Sequence, residues 1–213
     1  MLNLVISATE DLIVEVFDGD KKISEKCEIC SVQSEDILKM IKQKIGMRDF
    51  SEVDNILLNV GPGSFTGIRA SMALVFGLTR TGNPRIVPFT TFDMFEYDKL
   101  SGDMCRVVTG FSNFVYAEWQ DKQKRQMKCL TVNELGAFAR LEGKTIVAAS
   151  NKLAEKFKAE GVSVIIQDLL PENVIQKFMK NTLEKRSVEP VYLRASQAEI
   201  QREEKIKNGT AKR

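Results

Sequence analysis

Three glycines within seven residues, set where a strand runs into a helix, constrain this chain more than any other feature. Asn59, Val60, Gly61, Pro62, Gly63, Ser64, Phe65, Thr66, Gly67, Ile68 and Arg69 read as a strand end, a tight loop and a helix start. Glycine lets a backbone turn sharply and approach closely whatever lies opposite. The free amides at a helix start point outward, so Gly61, Gly63, Ser64, Thr66 and Gly67 form a candidate phosphate-binding loop. Two familiar phosphate motifs are excluded by counting. The Walker A loop needs a lysine after its second glycine, and this loop has none; the dinucleotide fingerprint needs GxGxxG, whereas Gly61, Gly63 and Gly67 give GxGxxxG. Physics alone leaves a purely structural strand-to-helix turn and a phosphate cradle equally open.

The helix after the loop, expected over 66–80, is apolar on more than one side. Phe65, Ile68, Met72, Val75, Phe76 and Thr79 make one stripe, while Gly67, Ala70, Ala73, Leu74 and Gly77 make another of mostly small residues. One stripe covers a sheet. The other admits a second helix at close range, either the chain's own helix over 34–45 or one from another molecule.

Around this loop the elements come in a repeated order. Strands are expected over 2–7, 12–17 and 22–30, with Asp18, Gly19 and Asp20 as a turn. A helix over 34–45 follows, capped by Ser34, with Ile37, Leu38, Ile41 and Ile45 on one face. Then come a strand over 56–60, the glycine loop, the helix over 66–80, a brief strand over 85–87 and a helix over 92–98 whose Asp93, Glu96 and Asp98 read as a solvated face. The second half repeats this. Strands over 105–109, 113–119 and 127–130, the last two joined by a basic turn through Lys122, Lys124 and Arg125, precede helices over 132–140, 152–160 and 172–183 alternating with strands over 145–148 and 162–166. Hairpin-connected trios imply antiparallel edges, and alternating helices and strands imply parallel crossovers. The α/β reading is therefore two lobes, each a mixed sheet flanked by helices: 1–100, 101–195, and a basic, flexible tail over 196–213. One continuous sheet is the alternative.

Composition bounds the function. The 31 basic and 29 acidic residues nearly cancel, and residues 201–213 alone carry a net +3, so any basic footprint is the tail. No run approaches the ~18 apolar residues of a membrane span, and the amino terminus opens on a polar-interrupted strand rather than a basic, apolar leader; the expected compartment is the cytoplasm, with no membrane partner. Cys27 and Cys30 form a CxxC, but zinc needs two more ligands and the chain has no histidine. The absence of histidine also removes the commonest catalytic base, and no pair of carboxylates stands out as acid and base. A carboxylate-only magnesium site stays open.

At this point the residues carry a resemblance. VGPGSFTGIRA, Val60 to Ala70, closely resembles the signature loop of the TsaB (YeaZ) family, and Pro190, Val191, Tyr192, Leu193 and Arg194 look like that family's Pro-x-Tyr-Leu-Arg near the carboxyl end. The resemblance spans almost the whole chain. It implies two actin-like (ribonuclease H-like) lobes without metal-dependent catalysis. It also implies a role as partner of a homologous catalytic subunit, TsaD, and of the small ATPase TsaE. Together these form threonylcarbamoyladenosine beside the anticodon of tRNAs reading codons that begin with A, so tRNA is reached indirectly, through the complex. The family's two consecutive helices imply docking through Ile37, Ile41 and Ile45 of the first and Arg69, Ala70, Ala73, Leu74 and Gly77 of the second, with a homodimer through the same surface when the partner is absent. The first strand ends here in Ser7, Ala8 and Thr9 where the family has an Asp-Thr-Ser type turn, and Gln33 stands where it often has histidine. Loss of that aspartate removes a coordinator of metal-bound phosphate. No cofactor bound by this chain alone is therefore expected, and ATP or ADP is placed at the interface of the complex. The alternative function is a stand-alone actin-like ATPase or small-molecule kinase.

Overall fold

The computed structural model describes residues 1–23, 34–45, 52–80, 84–96, 103–122 and 124–195. Most of the third expected strand, the CxxC of Cys27 and Cys30, Gln33, Asp98 and the tail lie outside the described residues.

The first half folds as β1 (Leu2–Ser7), β2 (Ile13–Asp18), β3 (Lys21–Lys22), α1 (Ser34–Ile45), β4 (Asn55–Asn59), α2 (Phe65–Thr79) and β5 (Arg85–Phe89). Its sheet runs β3-β2-β1-β4-β5, antiparallel from β3 to β1 and parallel from β1 to β5. Leu4 lies opposite Val16 on one side and Ile56 on the other. Because successive strand residues point to opposite faces, Leu2, Leu4 and Ile6 pack with Ile37, Met40, Ile41, Ile68 and Val75 of the helices, while Val5, Leu57 and Phe89 face the other way. A central strand buried on both faces reads as a continuous apolar run, as Ile56, Leu57 and Leu58 do.

After β5 a single 3₁₀ turn, Thr91–Met94, leads to the second half: β6 (Met104–Thr109), β7 (Phe114–Asp121), β8 (Lys124–Thr131), α3 (Val132–Leu141), β9 (Thr145–Ala148), α4 (Asn151–Ala159) and β10 (Val164–Ile166), then α5 (Pro171–Met179). The second sheet runs β10-β9-β6-β7-β8. Counted from the antiparallel edge, β8-β7-β6-β9-β10 repeats β3-β2-β1-β4-β5 strand for strand, so two separate mixed sheets, each flanked by helices, replace the single-sheet alternative. Thr131 opens α3 with a capping box to Glu134, and Ser150 caps α4 through Leu153 N.

Three expectations are corrected. The helix over 92–98 is the short 3₁₀ turn, and Asp93 is buried rather than solvated, because the turn is wedged between the lobes with Phe92 and Phe95 against Val108, Tyr116 and Val147. Arg125 does not belong to the basic turn expected between the strands. It lies in β8, which is longer than expected, and points inward to buried Glu118. Finally α5, assigned by order to the second lobe, packs on the first: Val174 and Ile175 cover Val5, Phe17, Leu57 and Phe89. That face of the first sheet, opposite the one lined by α1 and α2, needs an apolar cover, and α5 presents one.

Candidate functional site

Asn59, at the end of β4 and wholly buried, organises the glycine loop. Its amide nitrogen donates to Ser7 Oγ at 2.9 Å, Thr9 Oγ1 at 3.3 Å and Thr91 Oγ1 at 3.2 Å, and its oxygen accepts the Gly61 amide at 2.9 Å. One side chain thus ties together the β1–β2 turn, the glycine loop and the 3₁₀ turn. Asparagine suits the place because it offers both donors and an acceptor, and buried polar groups must be satisfied.

Each glycine of the loop answers to a contact with the chain's own backbone. A Cβ at Gly67 would sit 1.8 Å from Ala8 O, one at Gly63 2.4 Å from Thr9 Cβ, and one at Gly61 2.8 Å from Val191 O, with Gly61 itself at φ +113°. The amides are spent likewise. Ser64 N donates to Thr9 O at 2.8 Å and Gly67 N to Ser64 Oγ at 3.2 Å. Between the structural turn and the phosphate cradle, the positions of the glycines follow the turn. The side chains of Ser64 and Thr66 stay exposed and line a cleft between the lobes.

That cleft encloses about 640 Å³ and is bounded by Thr9, Glu10, Asp11, Ser64, Phe65, Thr66, Thr109, Gly110, Phe111, Tyr116 and Arg194. Glu10, on the β1–β2 turn, accepts the Thr109 amide at 2.8 Å and so bridges to the β6–β7 turn. Crowding by protein atoms raises its pKa from the ordinary 4.5, an effect the hydrogen bond from Thr109 partly opposes. The segment 190–194 crosses the cleft as a strap. Val191 N donates to Val60 O at 2.7 Å, Tyr192 stacks on Phe65, Leu193 packs among the interlobe aromatics, and the Arg194 guanidinium lies over the rings of Phe111 and Phe114 at 5.1 and 5.8 Å.

A second junction lies deeper. Glu118, fully buried, forms an ion pair with Arg106, Nη2 to Oε2 at 2.5 Å, and accepts Arg125 Nε on Oε1. Arg125 continues to Thr90 and Asp93 of the first half and to Glu184 near the strap, and Arg186 reaches both Asp93 and Glu184. Among the described residues no group of three or more His, Cys, Asp and Glu side chains is arranged to hold a metal ion. Of the described cysteines, Cys105 is buried and its thiol is pushed up to about 12, while burial also raises that of half-buried Cys129. No helix among the described residues is long and apolar enough to cross a membrane.

No family model matches the chain, and no curated protein matches its sequence. In structure it is similar to an uncharacterized protein with similarity to peptidase YEAZ, from Pseudomonas aeruginosa, with a TM-score of 0.63, 18% identity, and coverage of 91% of this chain and 99% of that one. YeaZ from Pseudomonas aeruginosa is similar at a TM-score of 0.60 and 16% identity, over 90% of this chain and 98% of its own. The chain has the YeaZ fold. A more distant likeness, at a TM-score of 0.50 and 10% identity, joins it to the ethanolamine utilization protein EutJ from Carboxydothermus hydrogenoformans, over 86% of this chain and 89% of that one.

Within the YeaZ fold the expected docking residues divide. Ile37 and Ile41 are buried in the first lobe's own core, so they are not surface residues. α1 is amphipathic, and its single apolar face is used up on β2 and α2. The side chain of Ile45 lies outside the described residues. Ala70 and Leu74 are half-buried against the same core, and Arg69, exposed, donates its Nε to Tyr192 Oη at 3.0 Å. Ala73 and Gly77 face outward, a Cβ at Gly77 would meet nothing within 4 Å, and Phe76 beside them is 42% exposed. Sequence reading missed Asn59, Glu10 and the Glu118 junction. The signal for the last was an acidic residue within the otherwise apolar run Phe114 to Trp119 of β7.

Proposed function

We propose that this chain is a non-catalytic partner subunit of the complex that forms threonylcarbamoyladenosine beside the anticodon of tRNAs reading codons that begin with A. In this reading it docks on a TsaD-type catalytic subunit and activates it in the cytoplasm. The observation that carries the proposal is the outer strip of α2, where Ala73 and Gly77 offer low relief next to exposed Phe76, a surface on which a second helix packs closely. Support comes also from the YeaZ fold, the loop and strap motifs, and a sequence without histidine. The TsaE-type ATPase and tRNA join through the complex, ATP or ADP binds where subunits meet, and the same strip pairs two copies when the partner is missing.

Ala73→Trp and Gly77→Trp test it. Both point outward, so the monomer's circular dichroism should be unchanged and its melting temperature should not fall, while capture of the TsaD-type subunit from native extract is lost; equal capture by both variants would refute the docking surface. Sedimentation with and without the partner follows the exchange of homodimer for heterodimer.

The interlobe cleft favours one competing reading, a stand-alone ATPase or small-molecule kinase. Calorimetry with ATP and magnesium separates the two, since submillimolar binding with turnover by the isolated chain would support the enzyme.

A further inference from the structure

The interlobe cleft is lined by charges of both signs, and their arrangement is selective. Arg194 is the cationic side chain on its wall. Its Cζ lies 5.1 Å from the ring centroid of Phe111 and 5.8 Å from that of Phe114, so two aromatic rings hold the guanidinium in place. Among the described residues it forms no ion pair, and its Nε is buried without a hydrogen-bond partner. A guanidinium fixed in this way and lacking an anion is built to receive a planar one, since the fork matches a carboxylate bidentately.

Against it stand Glu10 and Asp11 from the β1–β2 turn. Two carboxylates and one guanidinium give the wall a net negative charge, which repels a polyphosphate. The amide of Thr109, which would otherwise greet an anion, is already taken by Glu10. Hydroxyls of Ser64, Thr66 and Thr109 and the rings of Phe65, Phe111 and Tyr116 supply the remaining wall. We infer that the interlobe cleft is a binding site for a small zwitterion of the amino-acid or short-peptide class, its carboxylate on Arg194 and its ammonium toward Glu10 and Asp11. Glu10 is exposed, and the crowding that raises its pKa makes an incoming ammonium favourable to its charged form. The site is separate from the outer strip of α2.

The test is calorimetric titration of the full chain with glycylglycine and each of the standard L-amino acids, with acetate, methylammonium and ATP for comparison. Amide chemical shifts of residues 109–116 serve as the positional readout. At least one zwitterion should bind with Kd of about 1 mM or tighter, ahead of acetate, methylammonium and ATP, and should move those shifts. Arg194→Gln should weaken it roughly tenfold or more, and Arg194→Lys, which keeps the charge without the fork, by less. Glu10→Gln keeps an acceptor for Thr109 and should weaken zwitterions while leaving acetate no weaker. Should Arg194→Gln fail to fold, Arg194→Lys and Glu10→Gln carry the test. The inference is overturned if no zwitterion binds by about 10 mM, if affinity is the same in the variants, or if ATP binds more tightly than every zwitterion.

Discussion

Tyr192 lies flat on Phe65, ring centroids 4.5 Å apart and planes 11° from parallel, although 127 positions separate them in the chain. Phe65 opens α2 directly after the glycine loop, so the stack fastens the carboxyl-terminal strap to the start of the helix. The Tyr192 hydroxyl, accepting from Arg69 one turn further along α2, fixes the ring's rotation.

A double-mutant cycle on Phe65→Leu and Tyr192→Leu should therefore return a coupling of about 0.5–1.5 kcal/mol by urea denaturation, the range for aromatic pairs. Tyr192→Phe keeps the stack and should lose less than Tyr192→Leu. Additive single mutants would mean the rings merely lie near each other.

Two glycines of α2 should respond in opposite directions to the same substitution. Gly67→Ala drives a methyl into Ala8 O and is expected to cost more than about 3 kcal/mol, by forcing β1 and α2 apart. Gly77→Ala meets open space and should stabilise the helix by about 0.5–1 kcal/mol. Thermal melts of the two variants check both signs.

Glu118→Ala removes the buried carboxylate that Arg106 and Arg125 share. Removing one member of a buried ion group costs about 3–5 kcal/mol, and the loss should appear in the denaturation midpoint of the whole chain because the junction joins both halves. A variant as stable as the parent would show that water reaches Arg106 and Arg125.

Glu10 gives a pH dependence of defined sign. Its pKa is raised in the fold, so between its ordinary value near 4.5 and the raised one the native state holds more protons than the unfolded chain, and stability falls as pH rises through that window. Glu10→Gln removes the titration and keeps an acceptor for Thr109. The variant's stability relative to the parent should grow across the window and be constant on either side, as measured by denaturation at a series of pH values.

Cys105 should resist alkylation in the native state at neutral pH, because burial keeps it a thiol to about pH 12, and should label only in denaturant. Site-resolved mass spectrometry after iodoacetamide treatment measures this.

Much of the fold was legible because local patterns and final packing agree. Leu4 and Ile6 alternate with Val5 on β1, Ile56 to Leu58 read as a central strand, and Ile37 and Ile41 keep helical spacing. Periodicity marks an apolar face without telling what covers it: the resemblance implies docking through Ile37 and Ile41, whereas the chain's own core takes them. The same blindness hid α5 on the first lobe. Asp93 reads as part of a solvated face and Arg125 as part of a basic turn, because charged side chains are mostly exposed. Only their meeting with Thr90, Glu118 and Arg186 across the two halves explains the burial, and no spacing along the sequence encodes it. The loop's glycines were visible, whereas the atoms that demand them, Ala8 O and Thr9 Cβ, come from the turn between β1 and β2, some fifty residues earlier in the chain.

The placement of α5 bears on how the chain is made. Synthesis runs from the amino end, so Val5, Phe17, Leu57 and Phe89 leave the ribosome well before Val174 and Ile175 exist. A nascent first half therefore travels with one greasy sheet face bare until residues 171–179 have been made. A premature stop ahead of residue 171 removes far more than a terminus, and the exposed stretch it leaves is a target for chaperones and proteases.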